Sequence, residues 1–280
     1  MKVPTAPENK FFIPFDAPIA AGSLPEKFTY PFDYTPHPLS LLAAAELQQY
    51  LDAEANWEHN FGLGKQQAGA VIGKMFGVLV VRSTQNNIGY LAAFSGKLAG
   101  SFHHARFVPP VFDSLTEGSF LNIGMAELTR LNQEISTLKK LKTTESLARI
   151  DLLLKLRKSN SVALQQKLFD QYHFLNRSGT EKSLRTIFQA TANSNPPAGA
   201  GECAAPKLLQ YAFQQHMEPL AMAEFWWGLS PKTATWKHKH FYPACREKCA
   251  PILAHMLTGM DLDEKPVSEQ AAALVLEAVF

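Results

Sequence analysis

All three cysteines of the chain lie in two short motifs that have the donor chemistry of a metal site. Cys245 and Cys249 stand four residues apart, which places both on one face of a helix, and Cys203 begins another predicted helix. Thiolates at helix N-termini are stabilised by the helix dipole and by free backbone N–H groups. Three thiolates and one further ligand suit tetrahedral zinc. The candidates for the fourth ligand are His240, His238 and Glu202.

The predicted order of elements around these cysteines is the order found in zinc nucleoside and nucleobase deaminases. Those enzymes carry a glutamate two residues after the first ligand and Pro-Cys-x-x-Cys on the next helix. Here Ala205 occupies the glutamate position, and Cys245 and Cys249 are one residue further apart than the second motif requires. Without that carboxylate, a zinc-bound water lacks its acid–base partner. We therefore do not expect active deamination. The open alternatives are a structural zinc site, three buried cysteines without metal, and a zinc-dependent enzyme of deaminase ancestry that acts on a nucleobase.

The cysteines must be positioned by a small sheet and its flanking helices. Apolar runs at 71–81 and 88–94 predict two strands joined by a tight turn at Asn86-Asn87. The remaining predicted elements of this body are a helix over 41–51 capped by Ser40, a helix over 203–215, a strand over 220–227, and a helix from Pro243 to about Leu257. The predicted class is α/β, with a small mixed sheet and flanking helices in an arrangement that could be deaminase-like.

We divide the chain into five segments by composition and pattern. They are a proline- and aromatic-rich N-terminal segment that packs on the body (1–38), the first half of the α/β body (39–124), a basic helical insertion (125–192), the second half of the body with the cysteine motifs (193–260), and a linker leading to a further domain (261–280). In the insertion, Leu128, Leu131, Ile135 and Leu138 follow helical spacing. A second helical face is predicted over 161–175. Tyr172 belongs to that face and is expected to lie in the core.

Charge is distributed unevenly between these segments. From Thr137 to Ile187 there are eleven Lys and Arg against four Asp and Glu, whereas the rest of the chain has sixteen against twenty-one. Such a basic stretch is typical either of a solvated helix surface or of a surface that binds nucleic-acid phosphates. The candidate RNA-binding residues are Lys139, Lys140, Lys142, Arg149, Lys155, Arg157 and Lys158.

Composition excludes several classes of protein. A hydrophobic fraction of 46% with 19% charged residues is typical of a globular chain, not of a disordered or collagen-like one. No apolar run is long enough to span a membrane, and prolines and charges interrupt the N-terminus where a signal peptide needs an apolar stretch. Three cysteines, an odd number, fit a reducing compartment. We expect a cytoplasmic protein that does not interact with membranes.

Several motifs resemble the N-terminal extension of a long subgroup of RluA-type RNA pseudouridine synthases. Examples are Phe-Ser-Gly-Lys-Leu-Ala-Gly at 94–100 and Phe-Tyr-Pro-Ala-Cys at 241–245. The resemblance covers about residues 26–260 and rests on the runs 71–81, 94–100, 106–113, 199–209, 223–228 and 241–249. It implies an accessory region that binds or orients tRNA or large-subunit rRNA for a C-terminal catalytic domain, whose first residues are similar to 276–280.

The same resemblance implies that this chain does not carry the catalytic aspartate. RluA-type enzymes use an aspartate in a His-Arg-Leu-Asp motif, whereas the nearest string here, at 129–132, ends in Asn132. We therefore expect no catalytic residue in the chain.

Two further expectations concern the local structure of the body. Gly199-Ala200-Gly201 lets the backbone turn into a helix, and one of Trp226 and Trp227 faces outward by strand alternation, as a surface for RNA or for the catalytic domain.

Overall fold

A computed structural model describes residues 9–54, 57–64, 69–141, 143–191, 194–232 and 235–265 of the chain. These residues form a five-stranded sheet, a two-stranded ribbon and six α-helices. In chain order the elements are β1 (Ile13–Pro14), α1 (Pro38–Ala53), β2 (Lys74–Arg82), β3 (Ile88–Phe94), α2 (Phe120–Leu141), α3 (Thr144–Phe169), β4 (His173–Leu175), β5 (Glu181–Ser183), α4 (Leu184–Gln189), α5 (Ala204–Gln214), β6 (Glu218–Trp227), β7 (Phe241–Tyr242) and α6 (Arg246–Met256).

The larger sheet has the strand order β1-β3-β2-β6-β7, and every pair of neighbouring strands in it is antiparallel. Side chains alternate across it, as strand geometry requires. Phe76, Val78 and Val80 belong to the apolar core beside α1, whereas Leu79 and Val81 belong to the core beside α5. The predicted α/β class with helices flanking a small sheet is confirmed, although the neighbouring strands are antiparallel instead of mixed.

The first helix and the first long strand begin at different residues from those predicted. The N-cap of α1 is His37, whose Nδ1 accepts a hydrogen bond from Leu39 N–H at 3.2 Å, with Pro38 at the first helical position. The expectation that Ser40 is the N-cap is wrong, because Ser40 lies within the first turn. Strand β2 begins at Lys74, and the apolar residues Val71 and Ile72 ahead of it are exposed.

The last helix also begins later than predicted. Phe241 and Tyr242 pair with Phe225 and Glu224 as the short strand β7, so the chain is still extended at Pro243. Helix α6 therefore begins at Arg246. This shift makes a cysteine, Cys245, the N-cap of the helix.

The basic insertion folds as a helical hairpin, which we call the arm (α2 and α3). The two helices pack mainly against each other, around a small core of their own made by Leu131, Ile135, Ile150 and Leu153. At 1.5 Å per residue they are about 33 Å and 39 Å long. A capping box between Thr143 and Ser146 starts α3. The predicted helical face over 161–175 ends at Phe169, since the chain turns there into β4.

The N-terminal segment packs on the body as expected in its described part. Phe12, Phe28 and Phe32 are buried in the core beside α5, and β1 extends the sheet at β3. Among the described residues, no helix is both long and apolar enough to cross a membrane.

Gly77 permits α5 to approach β2 closely. A Cβ at this position would lie 3.0 Å from the Ala204 Cβ and 3.2 Å from the Leu208 Cδ1. We expect Gly77→Val to lower the free energy of unfolding by about 1–3 kcal/mol through overpacking, measured by urea denaturation. Gly22→Ala is the matched control, because nothing lies within 4 Å of a Cβ there. Equal stability of the two variants would contradict the close approach of helix and strand.

Candidate functional site

The structure brings the three cysteines together where α5 and α6 begin. Cys203 is the N-cap of α5, Cys245 is the N-cap of α6, and Cys249 lies one turn into α6. All three are free thiols; Cys249 is fully buried, Cys203 is half-buried and Cys245 is exposed. Cys249 belongs to the apolar core beside α5, and Cys203 packs against the same core. We call these three residues the thiol cluster.

The thiols of this cluster differ in acidity because their surroundings differ. The pKa of Cys245 is lowered to about 5, first by the Cys249 thiol and further by the Lys248 and Glu247 backbone N–H groups. The pKa of Cys249 is raised, because it interacts with Cys203 and Cys245 and is buried. The side chain of Cys245 makes no capping hydrogen bond to α6, but the unpaired N–H groups and the dipole at a helix N-terminus also favour a thiolate there.

A buried carboxyl group, Glu224, lies beside the thiol cluster. It projects from β6 toward α5, is 4% exposed, and accepts a hydrogen bond from Ala205 N–H at 3.3 Å. Burial raises its pKa to about 7, and its charge interacts with Cys245 and Cys249. Glu224 is not among the residues predicted from the sequence. The sequence feature that indicates Glu224 as a candidate is its position as a single carboxylate within the apolar run 220–227.

A buried lysine, Lys207, lies on α5 one turn after Cys203. Its ammonium donates to the carbonyl oxygens of Phe94 at 2.9 Å and Gly96 at 3.1 Å, and it lies over the rings of Phe94 and Phe102. Burial lowers its pKa to about 8, while the charge of Glu202 acts in the opposite direction. Lys207 therefore ties the end of β3 to the start of α5.

Glu202 and His238, two of the candidates for a fourth metal ligand, have other side-chain contacts. Glu202 accepts a hydrogen bond from the Tyr172 hydroxyl at 3.1 Å. His238 accepts one from Gly228 N–H and packs on Trp227. His240 accepts Trp226 N–H through its backbone carbonyl. As they stand, the described His, Cys, Asp and Glu side chains include no group of three or more that could hold a metal ion.

The predicted RNA-binding residues lie on the arm, apart from Lys142, which is outside the described residues. Arg149 pairs with Glu134 at 3.0 Å, and Lys155 pairs with Asp151 at 2.6 Å. The other four are exposed and form no ion pair with a described residue. These four, which we call the arm cations, are Lys139, Lys140, Arg157 and Lys158.

Three further predictions, on the tryptophans, on Tyr172 and on the glycines before α5, can be compared with the structure. Trp226 and Trp227 are 8% and 2% exposed, so the expectation of an outward tryptophan is wrong; Trp236 packs on Trp226 at 4.5 Å and helps to cover it. Tyr172 is buried in the core, as expected. Gly199 and Gly201 both have positive φ angles, which confirms that they turn the chain into α5.

Comparison with protein-family models, with curated proteins and with solved structures finds no match to this chain.

Lys207 makes the stability of the protein depend on pH. Its pKa is lowered to about 8 on folding, from an ordinary value of 10.5, so above pH 8 the unfolded state binds more protons and stability rises with pH. We expect the wild type to gain on the order of 2 kcal/mol over Lys207→Met between pH 7 and 10, measured by urea denaturation. The exposed Lys97, which also lies over Phe102, provides the control Lys97→Met. A difference from Lys207→Met that stays constant with pH would contradict this role.

Proposed function

We propose that this chain is the accessory region of an RluA-type RNA pseudouridine synthase, and that it binds and orients structured RNA, either tRNA or large-subunit rRNA. The uridine would be isomerised by a catalytic domain that lies C-terminal to it, in a cytoplasmic protein. The observation that carries the proposal is the arm, a helical pair with its own small core and with four exposed arm cations.

The chemistry of the arm suits RNA phosphates. Each Lys or Arg that neutralises a phosphate releases counterions, which drives binding without reading the sequence. An RNA helix offers such contacts along its backbone and across its wide minor groove. The helices of the arm are about 33 Å and 39 Å long. Lys139 and Lys140 lie in the last turn of α2, and Arg157 and Lys158 lie near the middle of α3.

The remaining parts of the proposal rest on the resemblance of the sequence motifs. Asn132 lies on the exposed side of α2 and offers no carboxylate for attack on a uridine. We therefore assign catalysis to the C-terminal domain and orientation of the substrate to this chain. Ala205 stands where a deaminase needs its glutamate, so deamination is not proposed.

A second candidate function is a structural module that only packs against the catalytic domain. It is favoured by large apolar side chains that α3 exposes, namely Leu147, Leu152, Leu154 and Leu156. Such a surface is typical of a contact with another protein. Co-purification with the catalytic domain, together with no affinity of the isolated chain for RNA, would favour this function over the first.

We expect charge reversal of the arm cations to weaken RNA binding strongly. The variant Lys139→Glu, Lys140→Glu, Arg157→Glu, Lys158→Glu removes up to four phosphate contacts. The slope of log K against log salt should then fall by about 3, and affinity at low salt by about 100-fold or more. Fluorescence anisotropy with labelled tRNA and rRNA stem-loops, measured over a salt series, gives both quantities.

The matched control reverses four exposed lysines outside the arm, so that the net charge changes equally. It is the variant Lys10→Glu, Lys27→Glu, Lys232→Glu, Lys265→Glu. Weakening of equal size in both variants would show that binding depends on net charge alone, and would contradict a specific role of the arm. No binding by the wild type at low salt would exclude the RNA function for this chain.

A further inference from the structure

A cleft of about 350 Å³ lies at the base of the arm, where the end of α3 meets α4 and the loop before α5. Gln165 and Gln166 line it from α3, Gln189 lines it from α4, and Asn195 lines it from the loop. These four side chains form no hydrogen bond with a described residue. Each amide therefore has two donors and one acceptor oxygen that a bound molecule can use.

The rest of the cleft lining is apolar or neutralised. Phe169 and Pro196 line it and are buried. Among the described residues that line the cleft, Arg185 carries the one charge, and its Nη1 donates to both carboxylate oxygens of Asp170, at 3.0 and 3.3 Å. Such a lining favours a neutral, flat ligand that has donors and acceptors along its edge. A nucleobase has this chemistry.

The cleft is aligned with one of the arm cations. Four residues separated by four, three and four positions lie on one face of α3, and they are Lys158, Val162, Gln165 and Phe169. At 1.5 Å per residue, Lys158 is about 6 Å along the helix from Val162, at the edge of the cleft, and about 10 Å from Gln165. An RNA strand whose phosphate binds Lys158 and that follows this face therefore passes the cleft.

We propose that the cleft binds one unpaired base of the RNA and that its amides favour adenine. A side-chain amide pairs with adenine through one donor and one acceptor, whereas guanine is read mainly by Arg or Lys, and Arg185 is held by Asp170. Proteins read RNA sequence chiefly at unpaired bases in loops and bulges. The inference rests on the proposed function, in which the arm cations bind phosphates, and adds a site that selects a base.

RNA hairpins that differ at one bulged base test the proposal. Fluorescence anisotropy with the full chain compares a labelled hairpin that has a single bulged adenine with the same hairpin bearing a bulged guanine and with the fully paired hairpin. We expect the bulged-adenine hairpin to bind at least about fivefold more tightly than the other two. The variant Gln165→Met, Gln166→Met, Gln189→Met should lose this preference and keep the wild-type dependence on salt, because no charge changes.

The matched control replaces three exposed glutamines outside the cleft, in the variant Gln49→Met, Gln133→Met, Gln214→Met. It should keep the preference for the bulged adenine. Equal affinity of the wild type for all three hairpins would overturn the proposal. A preference that persists when the three cleft glutamines are replaced would also overturn it, since the base would then bind elsewhere.

A second measurement uses adenosine, which has no phosphate, and so separates the cleft from the proposed function. Adenosine is titrated to millimolar concentration into the isotopically labelled chain, and the side-chain amide signals are followed by NMR. We expect shifts at Gln165, Gln166, Gln189 and Asn195, and none at the three control glutamines. These shifts in a chain that binds no hairpin would contradict RNA binding and support the cleft as a base-binding site. Unshifted cleft amides would overturn the proposal even if the hairpins bind.

Discussion

The start of α5 rests directly on two strands of the sheet, and the arrangement of the body depends on this contact. Gly77 on β2 has no side chain, so Ala204 can approach the strand, and Glu224 on β6 meets the free N–H group of Ala205. A helix N-terminus is a favourable place for a carboxylate because of its unpaired N–H groups and its dipole. This contact sets the position of Cys203 and, through the packing of α6 on α5, that of the other two cysteines.

The body and the arm are stabilised in different ways. The body has two apolar cores, one on each face of an antiparallel sheet, whereas the arm has a small core of four side chains. Much of the arm surface is therefore available to partners, and it carries both cations and exposed leucines. Under the proposed function the cations contact RNA phosphates, whereas under the second candidate function the leucines contact another protein.

Much of the fold could be predicted from local patterns. The strand over 88–94, the helix after Cys203 and the strand ending at Trp227 lie where apolar periodicity and capping residues place them. The start of α6 could not be predicted, because the pairing of Phe241 with Phe225 depends on residues 16 positions apart. In the same way, Trp226 is covered by Trp236, a contact that the alternation of side chains along a strand does not predict.

Only part of the candidate site could be predicted, again because some of its contacts join residues that are distant in the sequence. Cysteines at helix starts have a recognisable local pattern, and their convergence followed from the order of elements. Glu224 has no local pattern, since its role depends on the antiparallel register that sets it opposite Gly77. The basic residues were visible as a charge count, but ion pairs such as Arg149 with Glu134 depend on how α2 packs on α3.

Lysine footprinting in the presence of RNA measures directly whether the arm is the RNA-binding surface. The chain is acetylated with and without a tRNA or an rRNA stem-loop, and the modification of each lysine is measured by mass spectrometry. RNA bound at the arm is expected to protect Lys139, Lys140 and Lys158, whereas Lys10, Lys27, Lys232 and Lys265, which lie outside the arm, stay reactive. Protection of the body lysines with an unprotected arm would contradict it.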